Sequence, residues 1–228
     1  NICTIYNYLF QHTKTNYKPI LYGDEASPPV RFALMTALSL NIDVEFHFID
    51  LFKADNRSEF YTKINALQKV PALAVNGDVI CDSHAIALYF CSISNSEDLY
   101  PKDAMLRARI NELLYFNAGV LFPIDSSIFT DFFAGKWPAN KKHVDRWYSA
   151  LDYLELKMNQ QKWLTGDKMR LCDLCCGTTI SSLELLVPLL DQHQKIKEWL
   201  DNLKLIPCFN INAHGVKRLH SFIEEAAV

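Results

Sequence analysis

Residues 70–89 read VPALAVNGDVICDSHAIALY. Two short apolar runs flank Asn76-Gly77, a dipeptide that tolerates the positive φ angles of a tight turn, so the stretch reads as a β-hairpin. A helix follows at once over SHAIALYFCSIS, with Ser83 as its expected N-cap. Ahead of the hairpin stands Val70-Pro71. A cis bond there would make a fixed turn and leave the Val70 N–H and C=O pointing outward. Such an open edge can pair with a short peptide as an added strand.

Working outward, Pro19 to Tyr22 reads as a strand. Pro29 to Leu40 reads as a helix with Val30, Leu34, Ala37 and Leu38 on one face. Val44, Phe46 and Phe48 alternate as a strand would, and SEFYTKINAL is a weak helix. The order βαβ-α-ββα predicts a compact α/β unit over residues 18–95. The polar stretch SNSEDLYPKD reads as a linker. From Ala104 the pattern is helical only, which predicts a second, all-α unit over residues 104–228. Within it, AMLRARINELLYFNAGVLFPIDSSIFTDFF reads as one long helix or two, interrupted near Pro123, NKKHVDRWYSALDYLELKMNQQ is amphipathic, and LCDLCCGTTISSLELLVPLL is apolar nearly all round and so buried.

The chain has 228 residues, half of them hydrophobic and 21% charged, an ordinary composition for a soluble globule. A net charge of −3 without a basic run argues against a nucleic-acid partner or a membrane surface. The apolar stretches fall short of the ~20 residues that span a bilayer. Seven cysteines is an odd number, and they lie mostly in apolar patterns. That usage predicts buried free thiols in a reducing compartment, the cytoplasm, rather than a disulfide framework. In CDLCC, Cys172 and Cys176 could share a helical face, but no matching Cys/His pair stands nearby, so no metal is expected. Residues 1–17 lack the basic start and apolar core of a signal peptide and read as an extension ahead of the fold.

The motifs SPPVR (27–31), VPALAVNGDVICDSHAIALY and LYPKDAMLRARINELLYFNAGVLF, in this order of units, resemble the cytosolic glutathione transferases, more nearly the insect delta and epsilon classes. The resemblance implies a thioredoxin-like N-terminal domain, an all-α C-terminal domain, glutathione as co-substrate and a homodimer formed near Arg107 and the Ser83 helix. It implies that Val70, beside Pro71, pairs with the cysteinyl backbone of glutathione. It further implies that Asp82 takes the γ-glutamyl ammonium, while Ser83 and its helix N-terminus take the carboxylate. Where epsilon enzymes carry two histidines for the glycyl end, this chain has Gln68 and Asn56, with Lys53 or Lys69 as compensation. The family's capping-box hydroxyl is also replaced, by Arg170, although Asp173 remains.

Ser27 is the candidate catalytic residue, with Tyr22 as its rival. Proline at the first helical positions is tolerated because those N–H groups lack helical partners. Pro28 and Pro29 thereby remove donors that Ser27 would otherwise cap, leaving its hydroxyl free for a ligand. By resemblance it donates to the glutathione sulfur.

One apolar stripe, Leu114, Ala118, Leu121, Asp125, Ile128 and Phe132, contains a single acid. Either Asp125 caps a helix restarting after Pro123, or it faces the pocket for the second substrate. The expected pocket residues are Leu51, Phe52, Tyr115, Leu121, Asp125 and Phe129, beside Ser27. An acid at this position resembles the epsilon-like transferases linked to ecdysteroid biosynthesis. It would select a hydrophobic ligand carrying one hydroxyl, as a steroid does. The alternative function on the same fold is a non-catalytic carrier of hydrophobic ligands.

Overall fold

The computed structural model describes residues 18–159 and 161–226; the extension expected over residues 1–17 lies outside them. The N-terminal half runs β1 (Ile20–Gly23), α1 (Pro28–Ser39), β2 (Glu45–Phe48), α2 (Glu59–Ile64), β3 (Ala72–Val75), β4 (Asp78–Ile80) and α3 (Ser83–Ile93). The strands form one mixed sheet in the order β2-β1-β3-β4. Leu21 pairs with Phe46 in a parallel ladder and with Leu73 in an antiparallel one. The β3–β4 hairpin turns at Asn76 (φ 51°) and Gly77 (φ 89°), a two-residue turn that needs positive φ at both positions. Gly23 closes β1 where the backbone nears α1: a Cβ there would lie 2.7 Å from Val30 Cγ2.

The second half is helical: α4 (Ala104–Phe116), a π-turn (Asn117–Leu121), α5 (Phe122–Phe133), α6 (Lys141–Met158), α7 (Leu171–Leu183), α8 (Gln194–Lys204) and α9 (Asn210–Ala226). This is the thioredoxin-like domain plus helical domain that the sequence predicts. The core is continuous between the halves. Phe32 and Met35 of α1, Leu73 of β3 and Phe90 of α3 share one cluster with Trp147 of α6 and Leu174 and Ile180 of α7. Burying each such large side chain contributes about 1.5–3 kcal/mol. As its sequence requires, α7 is buried on nearly every side, and the six described cysteines are free thiols. A second, smaller cluster of Tyr22, Ile49, Tyr61 and Ala72 fills the space under α2.

Two expectations are corrected and two alternatives are decided. The helix cap at residue 82–83 is Asp82, whose carboxylate accepts the N–H groups of His84 (2.9 Å) and Ala85 (3.0 Å); Ser83 is the first helical residue. Pro123 does not break the chain into two helices. The turn just before it widens, with the Phe122 N–H reaching back five residues to Asn117 O, and the helix runs on from Ala104 to Phe133. A π-turn next to a proline relieves the lost N–H and the ring's clash with the preceding turn. At 30 residues this helix matches a bilayer span by length and composition, contrary to the sequence reading. Its apolar face, including Ile110, Leu113, Leu121 and Ile128, is nevertheless buried in the protein core. Of the two alternatives for Asp125, capping is ruled out, because it lies inside the continuous helix.

The start of α7 shows how a missing cap is replaced. Asp173 Oδ2 accepts the Arg170 N–H at 2.7 Å, while the Arg170 carbonyl takes the Asp173 N–H at 3.0 Å, the place a Ser or Thr hydroxyl would fill. Asp173 also accepts Leu164 N–H and Trp199 Nε1–H, each at 2.9 Å. Burial pushes its carboxyl up to about 6, against the pull of these bonds.

Candidate functional site

Two depressions lie side by side along the seam between the halves. A narrow groove of about 180 Å³ has Val70, Pro71, Asp82 and Ser83 on one wall and Asn117 and Cys175 on the other. A wider cleft of about 630 Å³ is lined by Ser27, Leu51, Phe52, Asp125, Phe129 and Leu219. Phe122 borders both.

The groove is built from hydrogen-bonded backbone. The Val70-Pro71 bond is cis. The carbonyls just before it are held: Asn56 Nδ2 donates to Gln68 O, while Tyr61 Oη and Asn65 Nδ2 donate to Lys69 O, all at 2.7 Å. The β3 ladder begins at Ala72, and Val70 itself meets no hydrogen-bond partner among the described residues. It is therefore the open strand edge that the sequence suggests. Gln68 (φ 57°) and Asn56 are engaged with the protein instead: the Gln68 side chain donates to Thr62 Oγ1 at 3.2 Å, and Asn56 secures the Gln68 backbone. Neither lines the groove. Tyr61 and Asn65, which sequence reading passed over, do the same positioning work; only their partners in space reveal it.

At the groove's far end, Asp82 is held well below the usual carboxylate range, at about 2, first by the neighbouring His84 side chain and then by the N–H bonds of its cap. His84 bridges two walls. Its Nδ1 lies 3.7 Å from Asp82 Oδ1, and its Nε2 lies 3.3 Å from Cys175 Sγ. Burial pushes the Cys175 thiol well up, so the sulfur beside His84 is a neutral thiol rather than a thiolate.

The cleft differs in kind. Ser27 is the N-cap of α1 by position and backbone angles (φ −79°, ψ 122°), yet its side chain accepts no cap bond. The first N–H beyond the two prolines, that of Val30, goes to the Ser27 carbonyl at 3.1 Å. Arg31 holds the loop before it, donating to the carbonyls of Glu25 (2.7 Å) and Ala26 (2.8 Å), to Thr178 O at 3.2 Å, to Ser182 Oγ and to Asn212 Oδ1 at 2.8 Å. Tyr22, the rival nucleophile-stabiliser, packs against His47, Phe60 and Tyr61 and does not line the cleft.

Asp125 does line it. It is 3% exposed, and its Oδ1 has no hydrogen-bond partner among the described residues. Burial pushes its carboxyl up to about 8, with the Arg31 charge pulling the other way. At neutral pH the protonated form predominates, giving an O–H donor together with acceptor lone pairs.

Two expected pocket residues are not brought to the cleft. Tyr115 is 72% exposed on α4, and Leu121 is fully buried in the core. Leu121 closes the π-turn, whereas Tyr115 precedes it and lies on the outer face of α4. The π-turn inserts an extra residue into the helical period, so Leu121 turns inward and the next residue, Phe122, faces the cleft. Phe133 and Leu219 complete the apolar wall. Among the described residues, no group of three His, Cys, Asp or Glu side chains is placed to hold a metal ion.

Residues 21–98 match the family described as glutathione S-transferase, N-terminal domain. Glutathione S-transferase 1 of Manduca sexta is 33% identical over 186 residues, covering 79% of this chain and 85% of that one. An epsilon-class glutathione S-transferase from the housefly, Musca domestica, superposes with a TM-score of 0.86 at 32% identity, covering 92% of this chain and 98% of that chain. A glutathione transferase homolog from Drosophila mojavensis, solved with bound glutathione, gives a TM-score of 0.85 at 30% identity, covering 92% and 97%. The chain belongs to the glutathione S-transferase family, whose co-substrate is glutathione, and has insect delta- and epsilon-class proteins among its structural neighbours.

Proposed function

We propose that this protein conjugates glutathione to a hydrophobic second substrate, with Ser27 as the residue that stabilises the thiolate. The observation that carries this reading is the Ser27 hydroxyl, free of any cap bond at the N-terminus of α1 and facing the cleft beside the groove. Glutathione lies along the groove, its cysteinyl backbone on Val70 and its γ-glutamyl end at Asp82 and Ser83. A free thiol titrates near ~8.5. Lowering that by ~2 units takes only ~2.7 kcal/mol of preference for the thiolate. One charge-assisted hydrogen bond together with a helix N-terminus is of that order. Turnover of 1-chloro-2,4-dinitrobenzene with glutathione tests the reading. Absence of any thiol-dependent rate in the wild type would instead support a carrier.

The second substrate is a hydrophobic molecule with one hydroxyl, a steroid by shape and chemistry. A mostly apolar cleft with one buried carboxyl free to both donate and accept suits such a ligand. An acid at this position resembles Noppera-bo, the epsilon-like transferase linked to ecdysteroid production, and the proposed role is in that production, in the cytoplasm. Removing the Asp125 carboxyl should weaken binding of a hydroxylated steroid by about 1–3 kcal/mol, and of its deoxy analogue hardly at all. Equal loss for both ligands in Asp125→Ala, measured by calorimetry, would refute the assignment. The functional unit is a homodimer through α3 and α4, where Ile93 (50%) and Met105 (65%) stand exposed; light scattering at micromolar concentration reads this directly.

A further inference from the structure

The three walls of the cleft meet at one buried carboxylate. Asp24, just past β1, is fully buried. Its Oδ1 accepts the Ala26 N–H at 2.9 Å and Arg218 Nε at 2.7 Å. Its Oδ2 accepts the Leu51 N–H at 3.2 Å and Arg218 Nη2 at 3.0 Å. Arg218 Nη2 also lies 3.4 Å from Asp50 Oδ1. The guanidinium sits among three rings, 4.9 Å from Phe48, 4.9 Å from Phe222 and 5.8 Å from Phe52.

Each partner of Asp24 leads to a different part of the cleft. Ala26 precedes Ser27. Leu51 and the adjoining Phe52 form the wall beyond β2. Arg218 precedes Leu219, the α9 residue that lines the cleft. Phe222, one turn further along α9, stacks on Phe52. The backbones are as close as the side chains: a Cβ at Gly215 would lie 2.1 Å from Glu25 O. A bidentate Arg–carboxylate pair whose carboxylate is fully buried fixes direction as well as distance. Its charge is shared with two backbone donors, so no oxygen of Asp24 is left without a partner.

We infer that Asp24 and Arg218 form a clasp that sets the width of the cleft, and hence the size of second substrate it accepts. The inference rests on the proposed transferase function and adds the structural basis of its selectivity. Both are positioning residues, and neither lines the cleft. The clasp is separable from folding, because α9 has a second anchor at its first turn, where Asn212 Oδ1 accepts Arg31 Nε at 2.8 Å. Releasing Arg218 therefore loosens the C-terminal half of α9, with Leu219 and Phe222, while the first turn stays docked. A looser wall admits bulkier ligands. It leaves the groove unchanged, since the groove is built from other elements.

The test compares wild type with Arg218→Gln, Arg218→Lys and Asp24→Asn in the full chain. Hydrogen exchange should accelerate over residues 216–226 in Arg218→Gln and Asp24→Asn and less so in Arg218→Lys, with residues 210–214 unchanged. The ratio of kcat/KM for a bulky aryl halide to that for 1-chloro-2,4-dinitrobenzene should rise at least ~5-fold, corresponding to ~1 kcal/mol, while KM for glutathione stays within ~2-fold. Unchanged exchange together with an unchanged ratio would overturn the clasp. If the wild type shows no turnover, the functional reading fails on its own. The clasp is then judged by the exchange pattern and by the affinity of 8-anilino-1-naphthalenesulfonate for the cleft, which should change in Arg218→Gln if the clasp sets its width and stay fixed if it does not.

Discussion

The groove and the cleft are neighbours, yet they treat polar side chains in opposite ways. In the groove the side chains are engaged with the protein: Asp82 caps α3 and His84 bridges Asp82 and Cys175, while Asn56 and Gln68, outside its lining, secure the approach to Val70. What the groove offers a ligand is mainly backbone and field. In the cleft the two central polar groups keep free capacity, the Ser27 hydroxyl at a helix start without a cap bond and the Asp125 oxygen without a partner. Buried polar groups are ordinarily satisfied; of the four unpartnered buried side-chain atoms among the described residues, the Asp125 oxygen is the one that lines the cleft.

The contrast between the helix starts of α1 and α3 can be broken most directly at Ser27. Ser27→Ala should cut kcat with 1-chloro-2,4-dinitrobenzene by ~10–100-fold, the worth of one charge-assisted bond, while thermal stability hardly moves because the hydroxyl caps nothing. A large drop in melting temperature with unchanged kcat would reverse the assignment.

The two acids sharpen the contrast through pH. Asp125 is raised to about 8 when folded, so the folded state holds the proton more tightly than the unfolded one. Its contribution is fully favourable below pH ~4 and is lost as pH rises toward 8, by at most about 1.4 kcal/mol per pH unit. Asp82 is lowered to about 2, so its contribution is present above pH ~4 and is lost as pH falls through about 2. Melting curves from pH 5 to 8 should therefore show wild type losing stability relative to Asp125→Asn, whereas Asp82→Asn should track wild type over that range.

At Asp82, Ala and Asn separate cap from charge. Asp82→Ala should lose about 1 kcal/mol, or roughly 2–4 °C in a chain of this size, and raise KM for glutathione. Asp82→Asn keeps the cap and should raise KM alone. The smallest effect is expected at Pro29→Ala, which restores an N–H at the second helical position for Ser27 to cap. A drawn-back hydroxyl should lower kcat a few-fold, with a slight gain in stability; an unchanged kcat would show that the prolines do not hold the hydroxyl free.

Much of this was legible locally. Asn76-Gly77 announces its turn because few other residues adopt two positive φ angles in succession. The Pro28-Pro29 pair announces a helix start with missing donors, and the even apolarity of 171–187 announces burial. The errors share a cause as well. Asp82 and Ser83 both suit a cap, and backbone angles decide between them. Leu121 turned inward because it lies in a wide turn, which the 3.6-residue period does not register. Asn56 looked available because its partner, the Gln68 carbonyl, is exposed by a positive φ twelve residues away.

The amino-acid order by itself determined the two halves, the hairpin, the proline-marked helix start and the lone acid in an apolar stripe. Each is set by residues within a turn or two of one another. Only the tertiary structure decided that Asp125 faces the cleft with an oxygen free and that Asp24 is joined to Arg218, 194 residues away. Helix register, burial and ion pairing depend on which distant surfaces pack together, and no local pattern carries that information.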